Sequence, residues 1–160
     1  MSSSKDIPHQ PEPETLAISK SIGRQAARSV GNPNANLRFR FSQFDVQGPG
    51  KLLDHSQSKN KSKTLLTSLL DRLGSLESQT AAEVFRPGED VGVIYKVEDL
   101  PTAESRRRLE QLELDDITEL ARISVGNLAR LYGILSDDRT EFFALWWDHS
   151  HKIWPSRKWQ

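Results

Sequence analysis

The side chains best able to do chemistry in this chain gather toward its C-terminal end. Asp148, His149 and His151 fall in the run Trp146-Trp147-Asp148-His149-Ser150-His151. Histidine titrates near neutrality, so His149 or His151 is a candidate general acid or base. Upstream, Arg122 and Arg130 flank Gly126-Asn127, and Tyr132 follows shortly after Arg130. Guanidinium groups grip phosphate oxygens bidentately and stabilise charge that builds on a phosphoryl group. A second basic pair, Arg38 and Arg40, alternates with aromatic residues in Leu37-Arg38-Phe39-Arg40-Phe41-Ser42. The candidate catalytic residues are therefore Arg122, Arg130, His149 and His151. The candidate substrate-binding residues are Arg38, Arg40, Tyr132 and Trp147.

Several chemistries lack the residues they need. Asp148, His149 and His151 also read as metal ligands, with 149 and 151 on one face of a strand. No cysteine and no further histidine cluster completes a zinc-like set, so no metal is expected. There is no Ser-His-Asp order, no phosphate-cradling glycine loop and no dinucleotide fingerprint, so no cofactor is expected. The triplet Arg106-Arg107-Arg108 could form a phosphate patch, but at helical spacing its charges pair with Glu104, Glu110 and Glu113.

Composition narrows the class further. The chain has 160 residues and no net charge, yet residues 1–63 carry ten Lys/Arg against five Asp/Glu, and the remainder twelve against seventeen. The basic front half favours a polyanion or is a solvated tail, and overall neutrality argues against a dedicated non-specific nucleic-acid coat. The lack of cysteine points to a reducing compartment. The N-terminus has no apolar signal region, and no stretch reaches the roughly 20 apolar residues of a membrane span. A cytoplasmic protein that does not engage membranes is the expectation.

These residues need elements to position them. Residues 1–36 read as a disordered or loosely helical tail, rich in Ser, Pro, Glu and Gln at its start, with residues 16–30 able to form a short helix. Residues 37–160 read as a single α+β domain. Strict alternation makes Leu37–Ser42 a half-buried strand with its arginines facing out. Leu65, Leu66, Leu69, Leu70, Leu73 and Leu76 stand at helical spacing and predict a helix over 62–77 that buries this stripe on a sheet. Thr80 and Glu83 form a capping-box pattern for a second short helix near 80–86. A strand over 91–97 and a surface helix over 102–112 follow.

The last third predicts a β-meander of strands 121–125, 128–135 and 141–148. Register is set by which pairing keeps apolar side chains together. A two-residue loop at Gly126-Asn127 pairs Ile123 with Arg130 and mixes the faces. A three-residue loop through Leu128 pairs Val125 with Ala129, Ser124 with Arg130, Ile123 with Leu131 and Arg122 with Tyr132. This register places both arginines and the tyrosine on one face. Adjacent tryptophans on a strand point to opposite faces, so one of Trp146 and Trp147 enters the core and the other could stack a base or a partner.

Strand, helices and a three-stranded meander in this order resemble the RelE/ParE toxin superfamily. The resemblance is carried by ELARISV, GN, LARLYGIL, SDDR, EFFALWW and DHSHK, covering about residues 119–152. It implies cleavage of messenger RNA on the ribosome, or a bound target such as gyrase, with an antitoxin-like protein partner. Arg130 matches the arginine of the toxins' Arg-Leu strand, Arg122 a basic position on the preceding strand, and His149 or His151 a terminal His or Tyr. The chain departs from these toxins in its length, its 1–36 tail and its lower lysine content. The segment RLYGI…FFALWWDHSHKIWPS is also similar to uncharacterised small bacterial proteins with a C-terminal Trp-Trp-Asp-x-x-His-like signature. Two functions follow as expectations. One is a non-catalytic protein-interaction module using exposed Trp146, Trp154 and Trp159. The other is a RelE-like endoribonuclease using the Arg122/Arg130/Tyr132 face with a histidine beside it.

Overall fold

The computed structural model describes residues 32, 34–49 and 65–155. The expected 1–31 portion of the tail, residues 62–64 of the first helix and Trp159 lie outside the described residues. In chain order the elements are β1 (Arg38–Arg40), α1 (Leu65–Leu76), α2 (Ala81–Val84), β2 (Gly92–Lys96), a 3-10 turn (Val97–Asp99), α3 (Ala103–Gln111), β3 (Glu119–Val125), β4 (Ala129–Leu135) and β5 (Glu141–Asp148). The fold is α+β, as the alternating patterns predict.

The sheet has five strands in the order β1-β5-β4-β3-β2. β2 through β5 pair antiparallel, whereas β1 pairs parallel with β5. The sheet is therefore mixed, and the first strand adds to the meander's edge. A parallel neighbour requires a long crossover, and the chain between β1 and β5 contains every other element. The β3–β4 hairpin adopts the three-residue loop: Val125 pairs with Ala129, Ser124 with Arg130, Ile123 with Leu131 and Arg122 with Tyr132. Gly126 supplies the left-handed backbone that this turn needs (φ 63°).

Both faces of the sheet are covered. One carries Leu37, Ile123, Val125, Leu131, Phe142 and Trp147 under α1 and α2. The other carries Leu120, Tyr132, Ile134, Leu145 and Trp146, packed with Leu100, Leu109, Leu114 and Ile153. This explains why β5 is apolar on both sides. Opposite Tyr132 and Gly133 the β4–β5 ladder contains a bulge: Tyr132 pairs with Trp146 and Gly133 with Ala144, so Leu145 is the extra residue. The bulge keeps Leu145 and Trp146 in one cluster and sends Trp147 to the other. Gly133 is required here, because a Cβ would stand 2.5 Å from both the Phe142 ring and the Phe143 carbonyl oxygen.

α1 buries less than its leucine pattern predicts. Leu73 and Leu76 are buried, while Leu66 and Leu70 remain 55% and 60% exposed. Leu65, Leu69, Leu73 and Leu76 follow one line of i, i+4 and i+3 steps. Leu66 and Leu70 sit one position on, turned about 100° away, and a helix resting on a sheet covers only one such line. The capping box forms as expected, with Glu83 N–H donating to Thr80 Oγ1 (3.3 Å) and Thr80 N–H to Glu83 Oε2 (2.7 Å).

The arginine triplet differs from expectation. Arg108 reaches away from its own helix to Asp45, donating from Nε (2.8 Å) and Nη2 (2.7 Å). Arg106 Nη1 donates to the Leu100 carbonyl. Neither pairs with the neighbouring glutamates: Arg108 is taken up by the Asp45 carboxylate and by Gln111 Oε1 (3.1 Å), and Arg106 by a backbone carbonyl. Asp45 also accepts from Trp146 Nε1 (2.9 Å) and Gln47 N–H (3.1 Å). Gly48, in the same loop, lies so close to Trp146 that a Cβ would stand 2.3 Å from its ring.

Two stability predictions follow from this packing. Leu76→Ala should cost about 2–5 kcal/mol, the range for a buried leucine truncation, whereas Leu70→Ala should stay within about 0.5 kcal/mol, both read from urea melts. Asp45→Ala should cost about 3 kcal/mol, the lower end for breaking a buried pair, because Arg108 still reaches solvent. Burial raises the Asp45 pKa, but the bonds from Arg108 and Trp146 outweigh it and hold the carboxyl below its usual range. Its contribution is therefore present above the ordinary carboxylate range and lost as pH falls through the folded value. Urea melts at falling pH should show that loss in the wild type and a shallower one in Asp45→Ala.

Candidate functional site

On the face away from α1, neighbouring strands place the candidate residues in two rows. One row runs Val93, Arg122, Tyr132, Trp146 across β2 to β5, and the next runs Ser124, Arg130, Asp148 across β3 to β5. Arg122 and Arg130 are thus diagonal neighbours, within reach of long side chains. Their proximity is felt electrostatically. Burial first, and then the Arg122 charge, lower the Arg130 pKa.

Neither arginine has an acidic partner among the described residues. Arg122 Nη2 reaches only the Asp90 carbonyl (3.5 Å), and Arg130 donates to the carbonyls of Ala129 (2.9 Å) and Asn127 (3.3 Å). The Nε atoms of both, and the Tyr132 hydroxyl, are buried without a hydrogen-bond partner. Burial, with the Asp148 charge, pushes the Tyr132 phenol well above its usual range, so it stays protonated and can donate.

Asp148 pairs in register with Arg130, but its carboxylate faces the chain that follows. Oδ1 accepts from the N–H groups of Ser150 (3.2 Å) and Lys152 (3.0 Å), and Oδ2 from Ile153 N–H (2.8 Å). This folds residues 149–153 into a turn over the sheet, where Ile153 is fully buried in the cluster that holds Tyr132 and Trp146. The turn needs left-handed backbone at His151 (φ 59°). The next residue but two, Trp154, stacks on Tyr95 at 4.2 Å between centroids, and the Arg122 guanidinium lies 5.7 Å from the Tyr95 ring.

His151 is drawn into this group. Burial and the charges of Arg130 and Arg122 lower its pKa, against the opposing pull of Asp148 and a bond to the Trp154 backbone. His149 is half-buried, with Nδ1 enclosed and unpartnered.

The structure therefore gathers Arg122, Arg130 and His151 over a fully buried Tyr132 and separates other candidates from them. Arg38 and Arg40 share the same face, opposite Phe39, which packs edge-on against Phe142 (5.8 Å) on the α1 side. They pair, however, with Glu141 and Phe143 at the start of β5, roughly 23 and 16 Å along the strand from Asp148 at about 3.3 Å per residue. Arg40 is bound to Glu141 by an ion pair of 2.7 Å. Trp147 is only 7% exposed and packs in the α1-side core, so it is not free to stack a ligand. Trp146 is fully buried as well, because α3 and the C-terminal turn cover the face it points to. Tyr95 was missed as a member of the site, and Asp148, read from the sequence as a possible metal ligand, instead anchors the turn beside it. Period-two alternation along β2 assigns Tyr95 a face, but only the β2–β3 pairing puts that face beside Arg122.

An open groove lies at the other end of the β3–β4 pair, lined in part by Ile94, Asp116, Glu119, Ser136 and Arg139. Its arginine is already paired with Glu119 (2.8 Å). Among the described residues no group of three His, Cys, Asp or Glu is arranged to hold a metal ion, and no helix is long and apolar enough to cross a membrane. No family model, no curated protein and no solved structure matches the chain.

The His151 environment gives a pH prediction. Its folded pKa is depressed, so the folded state resists protonation and stability declines as pH falls from the ordinary imidazole value of about 6.5 toward the folded one. A proton NMR titration should place the His151 ring below about 6.5, and His151→Gln should flatten the melting temperature across that range.

Proposed function

We propose that this chain is an RNA-binding domain that holds a backbone phosphate between Arg122 and Arg130. The observation that carries this reading is the pair of adjacent guanidinium groups, partly buried and without a carboxylate partner among the described residues. Like charges this close oppose folding, and an anion between them removes that cost. The resemblance of residues 119–152 to the RelE/ParE toxins supports RNA as the polyanion and bacterial growth as the process affected. It also supplies a catalytic version, in which His151, neutral near pH 7, takes the 2′-hydroxyl proton as that oxygen bonds to phosphorus, the bond from phosphorus to the 5′-oxygen breaks and the leaving oxygen takes a proton from water, while Arg130 stabilises the crowded phosphate and Tyr132 donates to it. The interaction-module reading draws its support instead from Leu66 and Leu70, exposed together on α1.

Binding to a single-stranded RNA labelled for anisotropy tests the main reading. Arg130→Ala should weaken binding and make the plot of log affinity against log salt shallower by about 0.7, the contribution of one phosphate contact on a single strand. RNA affinity unchanged by both Arg122→Ala and Arg130→Ala would remove this surface from the function. Induced expression, with growth and message integrity followed together, separates the versions. Loss of messages that needs Arg130 and His151 supports cleavage, and an effect lost only in the Leu66→Ser, Leu70→Ser double variant supports the interaction module.

A further inference from the structure

The charge and enclosure of the site define which phosphate it fits. The register places Arg122 and Arg130 diagonally across β3 and β4, with Tyr132 opposite Arg122. Arg122 Nε, Arg130 Nε and Tyr132 Oη are all enclosed and unpartnered. A buried donor without an acceptor costs about 1–3 kcal/mol, and here three such donors share one patch. Asp148 is the carboxylate that could have neutralised them. Its oxygens are instead occupied by the backbone N–H groups of Ser150, Lys152 and Ile153, and it makes no ion pair with Arg130. The patch thus keeps two guanidinium groups without an ion pair, although the Asp148 charge still favours the ionised form of Arg130, and His151 can add a third cation.

The surroundings restrict how a ligand can lie. Ile153 packs against the Tyr132 and Trp146 cluster, so the 149–153 turn covers one side. The Tyr95–Trp154 stack bounds the side next to Arg122. An internal phosphodiester brings one charge and must leave through two ester oxygens in opposite directions. A phosphate monoester carries about 1.5–2 charges at pH 7, offers three free oxygens and leaves through one.

We infer that the site takes the terminal phosphate of an RNA strand in preference to an internal phosphodiester. This rests on the RNA-binding reading above but not on its catalytic version. A dianion seated between Arg122 and Arg130 offsets the repulsion those two groups exert on a protonated His151. Tyr132 stays protonated, and of the groups that face the site (Arg122, Arg130, Tyr95, Tyr132, Asp148 and His151) the His151 imidazole is the one whose protonated form the two arginines oppose and a dianion would favour. Terminal-phosphate binding is therefore coupled to proton uptake at His151, seen as a rise of its ring pKa in the complex, while the affinity itself also follows the second ionisation of the phosphate at about pH 6, where the dianion is lost.

The test uses the full chain and three RNAs of one sequence, with a 5′-phosphate, a 3′-phosphate or hydroxyls at both ends, measured by competition anisotropy. At least one phosphorylated end should bind about tenfold more tightly than the hydroxyl form, the gain expected from an added charge-assisted contact. Arg130→Gln should abolish that advantage, and Tyr132→Phe, which keeps the ring packing, should reduce it several-fold with the melting curve retained. The His151 ring pKa, followed by NMR, should rise when the phosphorylated RNA binds and stay put with the hydroxyl form. Equal affinity for all three RNAs, with Arg130→Gln weakening all of them alike, overturns end selectivity and leaves the RNA-binding reading standing. Failure of every RNA to bind overturns both. A phosphoserine peptide that competes as well as the phosphorylated RNA overturns the assignment of the ligand to RNA.

Discussion

Asp45 lies in the loop after β1, with its side chain only 4% exposed, and takes hydrogen bonds from α3 through Arg108, from β5 through Trp146 and from its own loop through Gln47. An ionised carboxylate cannot be buried unless its lone pairs are met, so these partners have to arrive together. Their arrival fixes several things at once. The Trp146 ring is pinned between Gly48 and the second core cluster, and α3 is held across the sheet face it covers. Leu100, Leu109 and Leu114 then close over Leu120, Ile134 and Leu145. Arg122 and Arg130 lie half-buried on the other half of that face, beside the 149–153 turn.

A second carboxylate does a parallel job close by, at the C-terminal end of β5. Asp148 is fully buried and satisfied almost wholly by the backbone of the following turn. Asp45 neutralises an arginine; Asp148 does not, although the register brings one alongside. That difference separates Arg108, held by an ion pair, from Arg122 and Arg130, which have none among the described residues. Burial disfavours the charged form of Arg130, and the nearby Arg122 adds to this. A domain of ordinary marginal stability keeps such an arrangement at some cost, and local violations of this kind concentrate where ligands bind.

Much of this was legible in the sequence, for identifiable reasons. The hairpin register followed from sorting Ile123, Val125, Ala129 and Leu131 onto one side, because a one-residue slip exchanges the faces of a whole strand. That same sorting put Arg122, Arg130 and Tyr132 together. The α1 stripe was legible as a helix but not in its depth, since spacing gives the direction of Leu66 and Leu70 and not the width of the surface that receives them. The parallel pairing of β1 with β5, and hence the distance of Arg38 and Arg40 from the other arginines, depends on a long-range contact that local pattern does not encode. Asp45 gave no signal at all: a single aspartate in a polar loop reads as solvated until α3 and β5 are in place around it. The fates of Trp146 and Trp147 were half legible, because alternation puts them on opposite faces but does not say that both faces are covered.

The extra residue in β5 has a wider meaning. Counting alternately from Phe142, Trp146 would fall on the α1 side, Trp147 on the other, and Asp148 beneath α1. The bulge resets that count between Ala144 and Trp146, so everything beyond it is read in a different frame. The polarity of the site is therefore written less in the identity of any one side chain than in the length of the strand leading to it. Along β5, then, gain or loss of a single residue is a larger event than most substitutions. Upstream of the bulge it can be absorbed by making or removing an irregularity. Downstream it would turn the Asp148 anchor, and the histidine turn built on it, to the wrong side of the sheet. Related chains that keep the arginine face would then be recognised by a conserved spacing from the bulge to the aspartate, even where the residues between them have changed.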